Sequence, residues 1–277
     1  MTSRFELLLG EERPLVMGVL NVTPDSFSDG GHYFEADAAV ERALTMVDEK
    51  ADIVDVGGES TRPGAMSVSQ NSELDRVIPV IERIRENSDV CVSVDTSNPE
   101  VMRQAALAGC DIINDVRSLA KEGALETAAA SGLTVCLMHM KGEPSNMQDN
   151  PTYGNLIDEI CDFFRERISA CCAAGIESNR LVIDPGFGFG KTMLHNFELI
   201  NRLGQFKSFG LPILIGVSRK STIKKILGDF EKTLKVGSVT AALIASLNGA
   251  KVLRVHDVKE TVASLRIAQC IVREKLI

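Results

Sequence analysis

Eight short runs rich in β-branched residues, each followed by a longer stretch with helical spacing of its apolar positions, predict an α/β protein: a single (β/α)8 TIM barrel. Strict alternation of strand and helix requires parallel strands joined by crossovers, and eight such units close on themselves. The 277 residues suit one barrel of about 250. No Pro/Ser-rich linker or break in composition divides the chain, so residues 1–277 are read as one domain. An open doubly wound sheet is the competing arrangement, because it alternates strand and helix in the same way.

The first run is PLVMGVL (14–20), followed after a long loop by ADAAVERALTMVDEK (36–50). DIVDV (52–56) leads to SELDRVIPVIERIREN (72–87), VCVSV (90–94) to NPEVMRQAALAGC (98–110), and DIIN (111–114) to EGALETAAASG (122–132). LTVCLM (133–138) precedes LIDEICDFFRERISACCAAG (156–175), and RLVID (180–184) precedes NFELINRLGQFKSFG (196–210). PILIGV (212–217) is followed by VGSVTAALIASLNGA (236–250), and KVLRV (251–255) by VKETVASLRIAQCIVREKL (258–276). Gly109, Gly132, Gly175 and Gly210 stand where left-handed C-caps would turn the chain back toward the next strand.

Composition narrows the function. Hydrophobic residues at 44% and charged residues at 25% are ordinary for a globular domain and exclude wholesale disorder or a membrane bundle. The net charge is -8 and no dense Lys/Arg run is present, so nucleic acid is not an expected partner. An anionic substrate must therefore be gripped by a few cations focused in a cleft. No stretch reaches the roughly 18 apolar residues of a membrane span, and charges interrupt the apolar run of MTSRFELLLGEERP, so neither membrane nor secretion is expected. Seven cysteines, an odd number without CxxC pairing, read as reduced core residues in a cytoplasmic setting.

In a barrel of this kind the loops after the strands build the active face. Polar residues fall at every strand end: Asn21; Glu59, Ser60, Thr61 and Arg62; Asp95; Asn114 and Asp115; His139 after Met138; Asp184; Ser218, Arg219 and Lys220; Arg254 and His256. Polar residues often terminate strands for no further reason, but eight coincidences on one face argue for a site. Arg254 and His256, two apart, project to the same side of their strand and suit an anion such as phosphate or pyrophosphate. Asp95, Asn114 and Asp184 at a barrel mouth call for a cation, a metal or a ligand rich in N–H donors, such as a flat heterocycle with an amidine-like edge. Lys220 could neutralise one of these carboxylates or bond a ring carbonyl. The long loops VTPDSFSDGGHYF and GGESTRPGAMSVS, carrying Asp25, Asp29 and Arg62, read as mobile lids.

Other motifs read as structural. PGFGFGKT (185–192) fails the phosphate-loop pattern because Pro185 stands where Gly is required, so it reads as a strand-six loop whose glycines allow close approach to a ligand, with Phe187 and Phe189 as walls. Cys171 and Cys172 read as helix packing, and His32 and His195 as loop or helix-start residues.

The motifs resemble the dihydropteroate synthase family. GVLNVTPDSFSDGG (18–31) and VDVGGESTRPGA (54–65) are similar to its two loops, and SVDTSNPEV, INDVRSL, LMHMKGEPSNMQ, DPGFGFGKT, GVSRKS and RVHDV follow in the family's order. The resemblance runs from about residue 14 to the C-terminus. After RKS the chain reads TIKKILGDFEKTLKVGS, and Thr222 and Lys224 depart from the family pattern there.

This resemblance implies a transferase of folate biosynthesis, cytoplasmic and homodimeric, that joins 6-hydroxymethyl-7,8-dihydropterin pyrophosphate to p-aminobenzoate and is a sulfonamide target. It implies that Asp95, Asn114, Asp184 and Lys220 hold the pterin, with Met138 and Phe189 lining its pocket. Asn21, Arg254 and His256 would bind pyrophosphate, and Asn21 would also meet Mg2+. Phe27, Thr61, Arg62, Pro63, Arg219 and Ser221 would shape the aminobenzoate site, and Asp29 would close toward the developing cation. The set implied to act in the reaction is Asn21, Asp29, Asp95, Asp184, Lys220, Arg254 and His256. Substitution at the pterin methylene needs no protein nucleophile, in keeping with the lack of any Ser-His-Asp or Cys-His pattern worth defending. A pterin-binding methyltransferase barrel and a non-catalytic paralogue are the rival readings; the first has no need of the Arg254/His256 pair, and the second should have lost Asn21, Thr61 or Arg62.

Overall fold

The computed structural model describes residues 3–23, 32–59, 68–143 and 146–274. Its strands are β1 (Leu15–Asn21), β2 (Ile53–Gly57), β3 (Cys91–Asp95), β4 (Ile112–Asp115), β5 (Thr134–Met138), β6 (Leu181–Asp184), β7 (Leu214–Ile215) and β8 (Val252–Val255). All pair in parallel, in the order β6-β5-β4-β3-β2-β1-β8-β7, and a parallel bridge between Ile183 and Ile213 joins the two ends. The sheet is therefore a closed barrel, and the open doubly wound alternative is excluded. Around it lie α1 (Arg4–Leu9), α2 (His32–Asp48), α3 (Gln70–Asn87), α4 (Pro99–Leu107), α5 (Ala124–Ser131), α6 (Leu156–Ala173), α7 (Met193–Asn201), α8 (Ser221–Leu227), α9 (Leu234–Leu247) and α10 (Val258–Arg273).

Alternation along the strands decides where each side chain goes. Leu15, Met17, Ile53, Cys91, Ile112, Cys136, Val182, Leu214 and Val252 form one cluster that fills the barrel. The intervening Val16, Val54, Val92, Ile113, Val135, Ile183, Ile215 and Leu253 belong to a second cluster shared with the surrounding helices. Buried aliphatic side chains on both faces are what a parallel sheet covered by helices requires.

The end of the barrel where the strands begin is tied by a repeated device. Asp52, just before β2, accepts the Val16 N–H at 2.8 Å and pairs with Arg13. Asp111, just before β4, accepts the Val92 N–H at 2.9 Å and pairs with Arg85 and Arg4. Each carboxylate satisfies a strand-end donor and anchors a neighbouring cation.

Two elements differ from expectation. The N-terminal residues form α1, closed by a capping box between Ser3 and Glu6, and Phe5, Leu8 and Leu9 pack onto the barrel-filling cluster. The segment between β7 and α9 contains α8, which ends at Gly228, while β7 keeps only two residues of the expected run. Gly109, Gly132, Gly175 and Gly210 all have positive φ, as left-handed turns demand. Cys91, Cys110, Cys136, Cys161 and Cys171 are buried thiols, but Cys172 is exposed and Cys270 half-buried, so these two are not core residues. Among the described residues, no helix is long and apolar enough to cross a membrane.

Candidate active site

The strand ends converge on the opposite face, and the inward parity of β2, β3, β4, β6 and β8 brings Asp55, Asp95, Asn114, Asp184 and Arg254 into one bowl. At its floor Arg254 joins two carboxylates: Nε donates to Asp55 Oδ2 at 2.6 Å, and Nη2 donates to Asp95 Oδ2 at 2.7 Å. Asn114 Nδ2 also donates to Asp55 Oδ2, at 3.2 Å. Asp55 has no solvent exposure, and its Oδ1 is buried without a hydrogen-bond partner, as is Oγ of its register neighbour Ser93.

One guanidinium thus serves two carboxylates. Burial raises the Asp95 carboxyl to about 7, with Arg254 opposing the rise and Asp55 adding to it. Burial works against the Arg254 charge, but Asp55 and Asp95 raise its pKa above the ordinary arginine value. The imbalance leaves the floor ready for a donor-rich ligand.

Asp184 stands at the end of β6. Its Oδ1 accepts the Gly186 N–H at 2.8 Å, and burial raises its pKa to about 6, opposed by that bond and by Lys220 and Lys191. Lys220 Nζ lies 4.0 Å from the centroid of the Phe189 ring, a cation–π contact. Burial lowers Lys220 to about 8, Arg254 pushing the same way and Asp184 and Asp95 opposing. Phe189 packs with Val116, Met138 and Met147 in a small apolar cluster beside the acids. Next to this wall a cavity of about 550 Å3 opens, lined by Val116, Met138, Arg117, Lys121, Ser97 and Phe163 among others; its lining does not include Asp184 or Lys220.

Toward the rim, His256 Nδ1 lies 3.1 Å from Ser218 Oγ, which also accepts the His256 backbone N–H at 3.2 Å. The hydroxyl has one proton and a second lone pair, so it can donate to Nδ1 or accept from an Nδ1–H, and either way it fixes the orientation of the ring. Burial, with Arg254 and Arg219 nearby, lowers His256 to about 3 and keeps the ring neutral. Arg219, at φ 57°, pairs with Asp257 at 2.7 Å, and Ser221 is the exposed first residue of α8. Asn21 ends β1 on the inward parity of Leu15 and Met17. Asp115, on the outward parity, instead shapes the following turn, accepting the N–H groups of Arg117 and Leu119 at 2.8 Å each and the Ser97 hydroxyl.

The predicted Asp95, Asn114, Met138, Asp184, Phe189, Lys220 and Arg254 are thus gathered together, with His256, Arg219 and Asn21 around them. The guanidinium expected to grip an anion beside His256 already holds two carboxylates. Phe27, Asp29, Thr61, Arg62 and Pro63, with Asp25, lie outside the described residues. Phe187, read as a site wall, packs in the helix-facing core and borders the groove of α7 to α9. The glycines of PGFGFGKT approach protein rather than leaving room for a ligand: a Cβ on Gly186 would lie 1.8 Å from His139 O, and one on Gly190 2.3 Å from Lys141 O. His195 caps the start of α7, as read, and His32 begins α2. Sequence reasoning missed Asp55 and Lys191. A charged residue inside DIVDV, at inward parity, was a signal for the first; the second has its side-chain partner, His139, 52 residues away.

The chain matches the family model described as pterin binding enzyme over residues 17–256. It is 52% identical to the dihydropteroate synthase of Escherichia coli over 262 residues, 95% of this chain and 93% of that one. Among solved structures it is similar to the Yersinia pestis dihydropteroate synthase with a sulfonamide drug complex, at TM-score 0.90 and 50% identity, covering 94% of this chain and 95% of that one. It is also similar to the Xanthomonas albilineans dihydropteroate synthase with 4-aminobenzoic acid, at TM-score 0.88 and 48% identity, covering 94% and 93%.

Proposed function

The chain belongs to the dihydropteroate synthase family of pterin-binding enzymes, and from that premise we propose that it condenses 6-hydroxymethyl-7,8-dihydropterin pyrophosphate with p-aminobenzoate, releasing 7,8-dihydropteroate and pyrophosphate in folate biosynthesis. The observation that carries this reading is the bowl itself: Asp95, Asn114 and Asp184 at its floor beside the Phe189–Met138 wall, with Lys220 and Arg254 among them. Carboxylates accept the N–H groups of a pterin edge, the apolar wall covers its face, and Lys220 can donate to a ring carbonyl.

The reaction breaks the bond from the pterin methylene to the diphosphate oxygen, whose electron pair leaves with pyrophosphate, and forms a bond from that methylene to the arylamine nitrogen, which then gives up one N–H proton. The floor carboxylates favour positive charge developing on the pterin, while the His256 ring and the remaining donors of Arg254 serve the departing diphosphate. Thr61, Arg62, Pro63, Phe27, Arg219 and Ser221 form the aminobenzoate site in this proposal, and Asp29 approaches the developing cation. A sulfonamide competes with aminobenzoate there, as the complexes of the two similar structures support.

Asn21 is the residue that would hold Mg2+. Among the described residues no group of three acidic, histidine or cysteine side chains could cage an ion, and Mg2+ is commonly bound by one or two protein oxygens, water and substrate phosphates. An amide oxygen at the end of β1 fits that donor set. When bound, the ion supplies neutralising charge to the leaving diphosphate.

The apolar groove between α7, α8 and α9, about 510 Å3 and lined by Phe197, Ile223, Ile226, Val236 and Ile244, supports a homodimer through this face. The buried thiols of the barrel fit a reducing, cytoplasmic setting.

Pyrophosphate release should require both substrates, stop with EDTA, and show sulfonamide inhibition competitive with aminobenzoate; release at full rate without aminobenzoate contradicts the reading. The pH dependence follows from Asp184. In the free protein its carboxyl holds a proton below about 6, and a donor-rich pterin edge requires the carboxylate. Pterin affinity therefore falls as pH drops below that point, by up to about tenfold per unit for each proton displaced, with Asp95 adding in the same direction. Isothermal titration should show Asp184→Asn reducing the slope by one proton, and affinity rising toward acid pH would refute it. Sedimentation should find the wild type dimeric and Ile226→Glu monomeric; a monomeric wild type removes the dimer.

A further inference from the structure

PGFGFGKT resembles a phosphate loop but fails its pattern, which leaves Lys191 without the phosphate its counterpart there would bind. The side chain turns inward and is only 2% exposed. Its Nζ lies 2.9 Å from Gly186 O, 3.0 Å from Phe189 O and 2.9 Å from His139 Nδ1. Burial lowers Lys191 to about 7, with Asp184 opposing; in its charged form the three acceptors meet the three N–H donors of the ammonium, with His139 presenting the Nδ1 lone pair. Burial and the charges of Lys191 and Lys141 lower His139 to about 2, so the ring is neutral and has a nitrogen lone pair to offer.

These bonds fasten the loop after β6 onto the end of β5. Gly186 and Gly190 remove the side chains that would obstruct the contact, each at positive φ. Within the loop, Gly186 N–H binds Asp184, while Gly188 N–H is held at 2.7 Å by Asn196, which in turn donates to Thr222 at 3.1 Å. Thr222 thus braces the same loop from the α8 side. The two members of the proposed pterin site on this loop, Asp184 and Phe189, are set by the anchoring.

We propose that Lys191 is a positioning residue for this reaction: by holding the Gly186 and Phe189 carbonyls against His139, it fixes the Phe189 ring and the Asp184 carboxylate for the pterin before substrate arrives. The proposal rests on the pterin reading of the site. Its cost on loss follows from leaving buried carbonyls without donors in a loop that must then rearrange.

The test combines steady-state kinetics for each substrate with direct binding of 6-hydroxymethylpterin as the probe, on the full chain. Lys191→Met should raise both the pterin substrate KM and the probe Kd by about tenfold, with the aminobenzoate KM changed by less than about threefold. His139→Leu should share the defect, whereas His139→Gln, which restores an acceptor, should bind the probe nearly as the wild type does. Unchanged pterin affinity in Lys191→Met would overturn the proposal, and so would an equal rise in both KM values. If Lys191→Met does not fold, the His139 pair decides: equal probe affinity in the Leu and Gln variants overturns it. A wild-type protein that neither binds the probe nor turns over would sink the pterin reading itself, and this role with it.

Discussion

The arrangement of the bowl depends on one guanidinium placed between two carboxylates inside a hydrophobic barrel. Arg254 reaches Asp55 and Asp95 with short, charge-assisted bonds. Two acids and one cation do not cancel, and desolvation makes the surplus charge costly. The floor is consequently a region that a ligand with several N–H donors can complete. Replacing either acid with an apolar residue would leave a largely buried cation underserved, which breaks a buried pair and costs up to about 3 to 5 kcal/mol.

Above that floor the polar groups act in layers set by strand parity. Inward positions deeper than Asp55, Ser93 and Arg254 are apolar and fill the barrel, so they give the acids a low-dielectric bed. Positions nearer the rim carry His256 and Asn21, where charge on a departing group can be met. Desolvation is the largest influence on each of these titratable groups: it raises Asp95 and Asp184 and lowers Lys220 and His256. The same burial therefore prepares acids that respond near neutral pH and an imidazole that stays neutral. At the other end of the barrel α1 and the Asp52 and Asp111 pairs supply closure without touching the reaction, a division of stability and activity between the two faces common to this fold.

Much of this was legible in the sequence because strands and helices alternate with clear periods. Strand limits fell within one residue of the structure except at β7, whose expected run carries only two paired residues. The alternation of Arg254, Val255 and His256 correctly separated the side chains, with Val255 packed among the helices. Asp55 escaped because attention to strand ends passes over a charge in mid-strand, and Lys191 escaped because His139 lies 52 residues away. The α1 plug had a local sign, Ser3 three residues before Glu6, but six residues are too few to display a period. Nothing in the letters after Lys220 marks a separate α8, since its apolar residues face a groove rather than the barrel.

The most direct measurement is a carboxyl 13C NMR titration of Asp95 in the wild type and in Asp55→Asn. The substitution keeps the side-chain shape and removes one of the two charges that share Arg254. If that sharing governs the floor, the Asp95 pKa, held at about 7 in the wild type, falls by at least about one unit in the variant. An Asp95 titration that stays where it was would contradict the account.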